Sequence, residues 1–290
     1  MADVQCPVSI KTKSPLLQHH PMNAHPFDQA IALERLADGS WLGHTSPAYG
    51  NMVGPFGGVL AAKLLNAVLQ HPDRLGDPIA LTVNYCAGLL DGPFTVQART
   101  ARTNRSTQHW LMEIVQGSQA VLTATAVTAV RRDTWNLNET TMPDVSRPAD
   151  TPITGGKARM EWVNRYELRF VHGNLPEVWD GSDSGDSLTQ VWLRDAPARA
   201  LDFASLTALS DIFFPRIMSR RASLTHVGTV SMTIYFHADA PALHEVGTGY
   251  LLGQAKGQAF RNGFFDHTAQ LWSEAGTLLV TTHQIVYYKS

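Results

Sequence analysis

The sequence predicts an α+β fold made of two similar units, in each of which an antiparallel sheet wraps around one long apolar helix. Three observations support this prediction. A pattern of one helix followed by four strands occurs twice, in the same order, along the 290 residues. The strands alternate apolar and polar side chains, and a polar segment rich in proline separates the two copies. Two copies indicate a duplication, because a solenoid stacks three or more units.

Composition excludes several classes of function. The chain has 23 Lys and Arg against 25 Asp and Glu, so its net charge of −2 is wrong for a protein that holds nucleic acid by bulk charge. Apolar residues make up 44% and charged residues 17%, which is typical of a globular protein. The most apolar helical run, residues 59–69, is too short to span a bilayer, and the N-terminus does not resemble a signal peptide. We therefore expect a cytoplasmic protein without a membrane partner.

The sequence predicts neither a metal nor a cofactor. Its two cysteines, Cys6 and Cys86, form no disulfide framework and no Cys-x-x-Cys pair. The histidines form no His-x-x-x-His pair on a helix, so a catalytic metal is not expected. No Gly-x-Ser-x-Gly motif is present, which disfavours a serine hydrolase.

The first unit is predicted over residues 28–132, after a loose arm at 1–27. Residues 28–42 suggest a short hairpin that turns at Gly39. The run FGGVLAAKLLNAVLQ predicts a helix, since Leu60, Leu64 and Val68 recur at the helical period. Period-two alternation then predicts four strands, at residues 79–86, 93–102, 107–116 and 119–131.

The second unit is predicted over residues 161–290, after a linker at 133–160. DFASLTALSDIFFPRIM predicts its helix, and four strands follow in the runs TVSMTIYFHA, GYLLGQAKGQAF, FFDHTAQLWS and GTLLVTTHQIVYYK. LTVNYCAG in the first unit aligns with MTIYFHAD in the second, which supports the duplication. Trp41, Trp110, Trp192 and Trp272 lie in apolar strands and are expected in the core.

Asp211 is a carboxylate in an otherwise apolar helix, and the helix of the first unit has none. Burial would raise the pKa of this carboxyl and suit it to act as a general base on water. The alternative is an exposed Asp at the outer edge of the helix, which is the usual position of Asp.

Gln284 and Thr229 are polar residues in the second unit. Gln284 shares a strand face with apolar residues and would need a hydrogen-bond partner, either a water shared with Asp211 or the backbone. Strict alternation places Val230 toward the helix and Thr229 away from it, unless a bulge changes the register. Ser231 and Thr225 are the alternative hydroxyls.

Gly57 and Gly58 open the first helix, where unpaired backbone N–H groups can bind a substrate carbonyl oxygen or a phosphate. They are equally explained by close packing at the helix start. Five arginines could meet the phosphates of a nucleotide-like ligand or form a solvated face, and the sequence does not choose among them: Arg99, Arg102, Arg105, Arg131 and Arg132.

Several of these motifs resemble a known family. GPFGGVLAAKLL, NYCAG and TNRSTQHWLMEIVQGSQAVLTATAV in the first unit, with FASLTALSD, GTVSMTIYFHAD and LLVTTHQIVYY in the second, resemble acyl-CoA thioesterase II-like proteins. The resemblance implies a double hotdog fold, in which the two sheets join into one continuous sheet. It also implies hydrolysis of acyl-CoA in lipid metabolism. The sheet edges of such units must be paired, which favours a homodimer or higher homo-oligomer.

The resemblance assigns the catalytic roles to Asp211, Thr229 and Gln284, which together hold the attacking water. Gly57 and Gly58 are the candidate substrate-binding residues. A hotdog hydratase or dehydratase would instead need Asp211 with a histidine, for which His237 and His283 are the candidates. A non-catalytic acyl-CoA-binding protein is the third interpretation, and retention of Asp, Thr and Gln together argues against it.

Overall fold

The computed structural model describes residues 24–154 and 159–289. Residues 1–23 of the predicted arm, with Cys6, and residues 155–158 of the linker lie outside the described residues. The described chain forms one large antiparallel sheet with short helices, which confirms the predicted α+β double hotdog. The division at 28–132, 133–160 and 161–290 stays a prediction.

The first unit supplies half of the sheet. Its strands are β1 (Leu33–Arg35), β2 (Trp41–His44), β3 (Asp77–Tyr85), β4 (Pro93–Thr103), β5 (Thr107–Gln116) and β6 (Gln119–Ala129). They lie in the order β1-β2-β4-β5-β6-β3, so β3 ends the unit at the centre of the molecule. The four strands predicted by alternation are confirmed to within a few residues.

The second unit supplies the other half. Its strands are β7 (Tyr166–His172), β8 (Thr189–Asp195), β9 (His226–Phe236), β10 (Leu251–Lys256), β11 (Phe260–Arg261), β12 (Phe264–Ser273) and β13 (Leu278–Lys289). The order β9-β13-β12-β10-β8-β7 continues the sheet, and the short β11 pairs with β12. β3 and β9 join the two units, with residue pairs from Ala80↔Tyr235 to Asn84↔Ser231.

The first unit wraps its sheet around α2 (Gly57–Leu69), as predicted. Ten of the 13 residues of α2 are buried, because the helix carries small and aliphatic side chains on nearly all sides. The four tryptophans expected in the core are buried as well, each with at most 4% of its surface exposed.

The second helix is shorter than predicted, and this corrects the expectation of one long helix in each unit. The run splits into α3 (Phe203–Leu209) and α4 (Arg216–Arg220). The Ser210 hydroxyl donates to the Leu206 carbonyl oxygen at 2.7 Å, a bond that slightly destabilises a helix. Pro215 then lacks the N–H that a continuing helix needs and disfavours helical backbone at the residue before it. A further helix, α5 (Ala240–Val246), follows β9 and precedes β10 in the chain.

The N-terminal hairpin is also shorter than predicted. Residues 28–31 belong to α1 (Pro26–Ile31), and only β1 and β2 form the hairpin, with Leu33 opposite Gly43. Pro26 favours the helix start, and the His25 ring accepts a hydrogen bond of 3.0 Å from the Phe27 N–H. The local start signals therefore outweigh the alternation.

Candidate active site

The candidate site lies where the first turn of α2 meets the end of α3. The two helices approach closely, since a Cβ placed on Gly58 would lie 2.7 Å from the backbone oxygen of Ala208. The packing explanation for the glycine pair is therefore correct for Gly58. This approach brings the first unit within reach of Asp211, which follows α3.

Asp211 is partly buried and hydrogen-bonded at the junction of the two units. The Nε2 amide of Gln284 donates to its Oδ1 at 2.8 Å, and the backbone N–H of Gly58 also donates to it. Burial raises the pKa of Asp211 to about 7, and the two hydrogen bonds offset only part of that shift. A carboxyl that titrates near neutral pH suits general-base chemistry.

Gln284 lies on the buried face of β13, between Asp211 and Thr229. Its Nε2 is 3.4 Å from the sulfur of Met232, and its Oε1 accepts a hydrogen bond of 3.4 Å from the Thr229 hydroxyl. The amide therefore has partners at both ends. The predicted need for a hydrogen-bond partner is met by side chains, with Asp211 bonded directly.

A bulge in β9 brings Thr229 to the site. Val286 pairs with Thr229, while the preceding Ile285 pairs with Ser231, so Val230 is the extra residue. Val230 is 37% exposed and faces outward, which makes the prediction of an inward Val230 wrong. The expectation from strict alternation that Thr229 points away is wrong for the same reason.

The alternative hydroxyls lie elsewhere. Ser231 pairs with Ile285, which is 39% exposed on the outer face of the sheet. The Thr225 hydroxyl donates to the backbone oxygen of Lys289. Thr229 is therefore the candidate hydroxyl whose contact with Gln284 the structure shows.

Gly57 lets the Asp211 carboxylate approach the start of α2. A Cβ on Gly57 would lie 2.9 Å from Asp211 Oδ2, closer than real Cβ atoms come to other atoms. The residue before the helix, Phe56, has no side chain able to cap the first turn. The N–H groups of the first turn have no partner within the helix, and that of Gly58 donates to Asp211.

Sequence reasoning missed Tyr85, the last residue of β3. Its hydroxyl donates to the Gly57 carbonyl oxygen at 3.1 Å, and burial and the Asp211 charge together hold its pKa well above the ordinary value. The only signal was its place in NYCAG, at the end of a strand leading to the site.

His267, on β12, was missed as well. It is buried directly opposite Gln284, and no partner for its Nε2 lies among the described residues. Burial, Arg216 and His283 hold its pKa well below the ordinary value, so the imidazole is neutral. Nothing in the spacing of the histidines distinguished it.

Other candidates are not brought to Asp211. His283 lies on the face of β13 opposite to that of Gln284, and its Nε2 is 3.4 Å from Asp266 Oδ2. The Nε2 of His237 is hydrogen-bonded to the Thr281 hydroxyl at 3.0 Å. Among the arginines, Arg131 bonds the backbone oxygens of Pro78, Phe236 and His237. This arginine lies at the end of the sheet where β3 begins, as do Arg102, Arg105 and Arg132. Tyr85 lies at the other end of β3, about 25 Å away at the usual rise per strand residue.

Neither a metal-binding cluster nor a membrane-spanning helix is found among the described residues. No three His, Cys, Asp or Glu side chains among them are grouped to hold a metal ion. No helix in the same ranges has the length and apolar character needed to cross a membrane.

Models of known protein families match both units of the chain. The model of the acyl-CoA thioesterase N-terminal domain matches residues 46–129, and that of the C-terminal domain matches residues 138–288. No curated protein matches the chain.

Solved structures share the fold. A conserved protein of unknown function with the hot dog fold from Alicyclobacillus acidocaldarius is 43% identical, with a TM-score of 0.87 over 92% of this chain and 99% of that one. The acyl-CoA thioesterase II from Mycobacterium marinum is 15% identical, with a TM-score of 0.70 over 91% of this chain and 98% of that one. Since the domain models match both halves, the chain belongs to the acyl-CoA thioesterase family.

Proposed function

We propose that the protein hydrolyses acyl-CoA thioesters to a free acid and CoA by direct attack of an activated water. One observation carries this proposal. Thr229, Gln284 and Asp211 form a continuous hydrogen-bonded row that ends in a carboxyl whose pKa lies at about 7. Such a row can hold a water molecule and remove its proton at neutral pH.

In the proposed reaction, Asp211 takes a proton from water while the water oxygen bonds to the thioester carbon. The carbonyl electron pair moves to oxygen, and the tetrahedral intermediate then expels the CoA sulfur as the carbonyl reforms. The proton held by Asp211 passes to the leaving thiolate, so the products are the carboxylic acid and the CoA thiol. No side chain is acylated.

Thr229 and Gln284 orient the water in this scheme. Gln284 fixes Asp211 Oδ1 at 2.8 Å, and the Gln284 Oε1 and the Thr229 hydroxyl offer positions for a water in the same row. Holding the nucleophile in line lowers the entropic part of the barrier.

The developing oxyanion would lie at the start of α2. The first-turn N–H groups at Gly57 and Gly58 have no partner within the helix, and the positive end of the helix dipole favours negative charge there. Because the Gly58 N–H donates to Asp211, it stabilises the thioester oxygen only if it shares this bond or exchanges it during the reaction.

Cytoplasmic location, homo-oligomerisation and a role in lipid metabolism remain predictions.

The hydratase interpretation needs a histidine beside Asp211. The structure places the Gln284 amide against that carboxylate, and His237 and His283 are directed elsewhere. His267 lies opposite Gln284, and its ring packs edge-on against Phe213. We therefore favour hydrolysis.

The test is release of free thiol from acyl-CoA substrates of short, medium and long chains, followed with a thiol reagent. We expect turnover with at least one chain length. Binding without thiol release at any chain length would contradict hydrolysis and support a binding protein. Loss of an enoyl-CoA chromophore without thiol release would support the hydratase instead.

A further inference from the structure

We propose that Tyr85, at the end of β3, donates a hydrogen bond to the thioester carbonyl oxygen of the substrate. The inference rests on the proposed function and adds a donor from the first unit. The polar residues of the water-holding row all come from the second unit, whereas Tyr85 reaches the site across the junction made by β3 and β9.

The position of Gly57 relates the phenol of Tyr85 to the Asp211 carboxylate. A Cβ placed on Gly57 would lie 2.9 Å from Asp211 Oδ2, 3.3 Å from Tyr85 Cε1 and 3.4 Å from the Tyr85 hydroxyl oxygen. The carboxylate and the phenol thus both pack against Gly57 on the same side, which brings the two groups near each other. A group attacked by water bound to Asp211 would come within reach of the phenol.

The present partner of the Tyr85 hydroxyl is replaceable. Its hydrogen bond to the Gly57 carbonyl oxygen is 3.1 Å long, whereas O–H···O bonds in proteins cluster near 2.7–2.8 Å. In an α-helix, a first-turn carbonyl also accepts the N–H four residues later. Releasing the phenol would therefore leave no carbonyl unpaired.

The surroundings keep the phenol a donor. Burial and the negative charge of Asp211 both oppose ionisation of Tyr85. As Asp211 takes the proton from water, negative charge moves to the thioester oxygen, and a neutral hydroxyl nearby stabilises it there. Tyr85 would then complement the backbone N–H groups of α2 and would touch the reacting oxygen.

The experiment compares the wild type with Tyr85→Phe, which removes only the hydroxyl. Tyr235→Phe is the matched control, because Tyr235 is 51% exposed on the neighbouring strand β9. We expect Tyr85→Phe to lower kcat about 100-fold, as loss of one oxyanion donor does, with KM and the melting temperature little changed. Tyr235→Phe should match the wild type in all three.

Binding of two unreactive ligands separates contact with the substrate from structural support. One is an acyl-CoA thioether, which lacks the carbonyl, and the other is the ketone analogue, in which a methylene replaces the sulfur. Tyr85→Phe should bind the thioether as the wild type does and the ketone several-fold more weakly. Equal weakening of both ligands, or unchanged kcat, would overturn the proposal.

These experiments distinguish failure of the Tyr85 proposal from failure of the proposed hydrolysis. If Asp211→Asn is inactive while Tyr85→Phe is fully active, hydrolysis stands and the role of Tyr85 does not. If the wild type releases no thiol, hydrolysis fails, and the ligand comparison still decides whether Tyr85 contacts a bound carbonyl.

Discussion

The Gln284 amide and the Asp211 carboxylate are joined by a hydrogen bond of 2.8 Å that links β13 to the end of α3. This bond occupies Oδ1 and leaves Oδ2 facing the start of α2, near Gly57. Asp211 lies just after the end of α3, outside the regular helix. The Gln284 amide therefore helps to fix the orientation of its carboxylate.

Replacing Asp211 by Asn should reduce kcat by about 10²–10⁴-fold, the range for loss of a general base. Asn keeps the size of the side chain and cannot accept the proton. Asp202→Asn is the control, since Asp202 caps α3 through the Ser205 N–H and Asn caps helices equally well. Thiol-release kinetics measure both variants, and full activity of Asp211→Asn would remove it as the base.

Thr229→Val should lower kcat at least tenfold, since Val preserves the shape of Thr but not the hydroxyl that bonds Gln284. Thr229→Ser should keep most of the activity. Ser231→Ala, on the outer face, serves as the control and should match the wild type. A larger loss with Ser231→Ala than with Thr229→Val would place the functional hydroxyl at Ser231.

The rate should depend on pH through Asp211. Its base form is active, so kcat/KM should rise from pH 5 to pH 8 with an apparent pKa of about 7. A profile flat over this range, measured with a substrate that is stable there, would show that Asp211 does not titrate in the rate-limiting step.

The same carboxyl should make stability depend on pH. Its pKa is raised on folding from 3.8 to about 7, so the folded state favours the protonated form. The stabilisation is complete below pH 4 and is lost as pH rises through 7. The unfolding free energy of Asp211→Asn relative to wild type should thus increase between pH 4 and pH 8, on the order of 2–4 kcal/mol.

Chemical denaturation at several pH values measures this difference. Asp195, whose pKa burial raises to about 6, is present in both proteins, so its effect cancels. A difference that stays constant with pH would contradict the raised pKa.

Adding a methyl group at the two helix-start glycines should have separate effects. Gly57→Ala meets Asp211 Oδ2 at 2.9 Å and should displace the carboxylate, lowering kcat more than stability. Gly58→Ala meets the Ala208 backbone at 2.7 Å and should lower the melting temperature. Gly88→Ala has nothing within 4 Å and is the control for both measurements. Equal effects of the two substitutions on kcat and stability would argue against this division.

Much of the fold could be predicted from the sequence. The strands of the first unit follow from alternation, because one face of each is buried, and α2 follows from leucine and valine at the helical period in a long apolar run. The break between α3 and α4 was harder to predict, because the apolar pattern continues through Phe213, whereas Pro215 prevents one helix from running through to α4. In such a run, local backbone chemistry determines the boundary.

The site was only partly predictable. Asp211 and Gln284 are distinguished by polarity within apolar runs, and the absence of a carboxylate from the first helix points to the second unit. Tyr85 and the Gly58 N–H come from the first unit, and their roles depend on how the helices cross. Alternation assigned Thr229 to the wrong face, because a bulge leaves no mark in composition.

The extra residue at Val230 makes the site depend on the number of residues in β9 as well as on their identity. Neighbouring side chains in a strand face opposite ways, so losing one residue between Thr229 and Met232 would exchange inside and outside for everything before it. Substitution at Val230 leaves that count unchanged, whereas a single-codon deletion alters it. Deletion of Val230 should therefore disturb the site more than any substitution at that position.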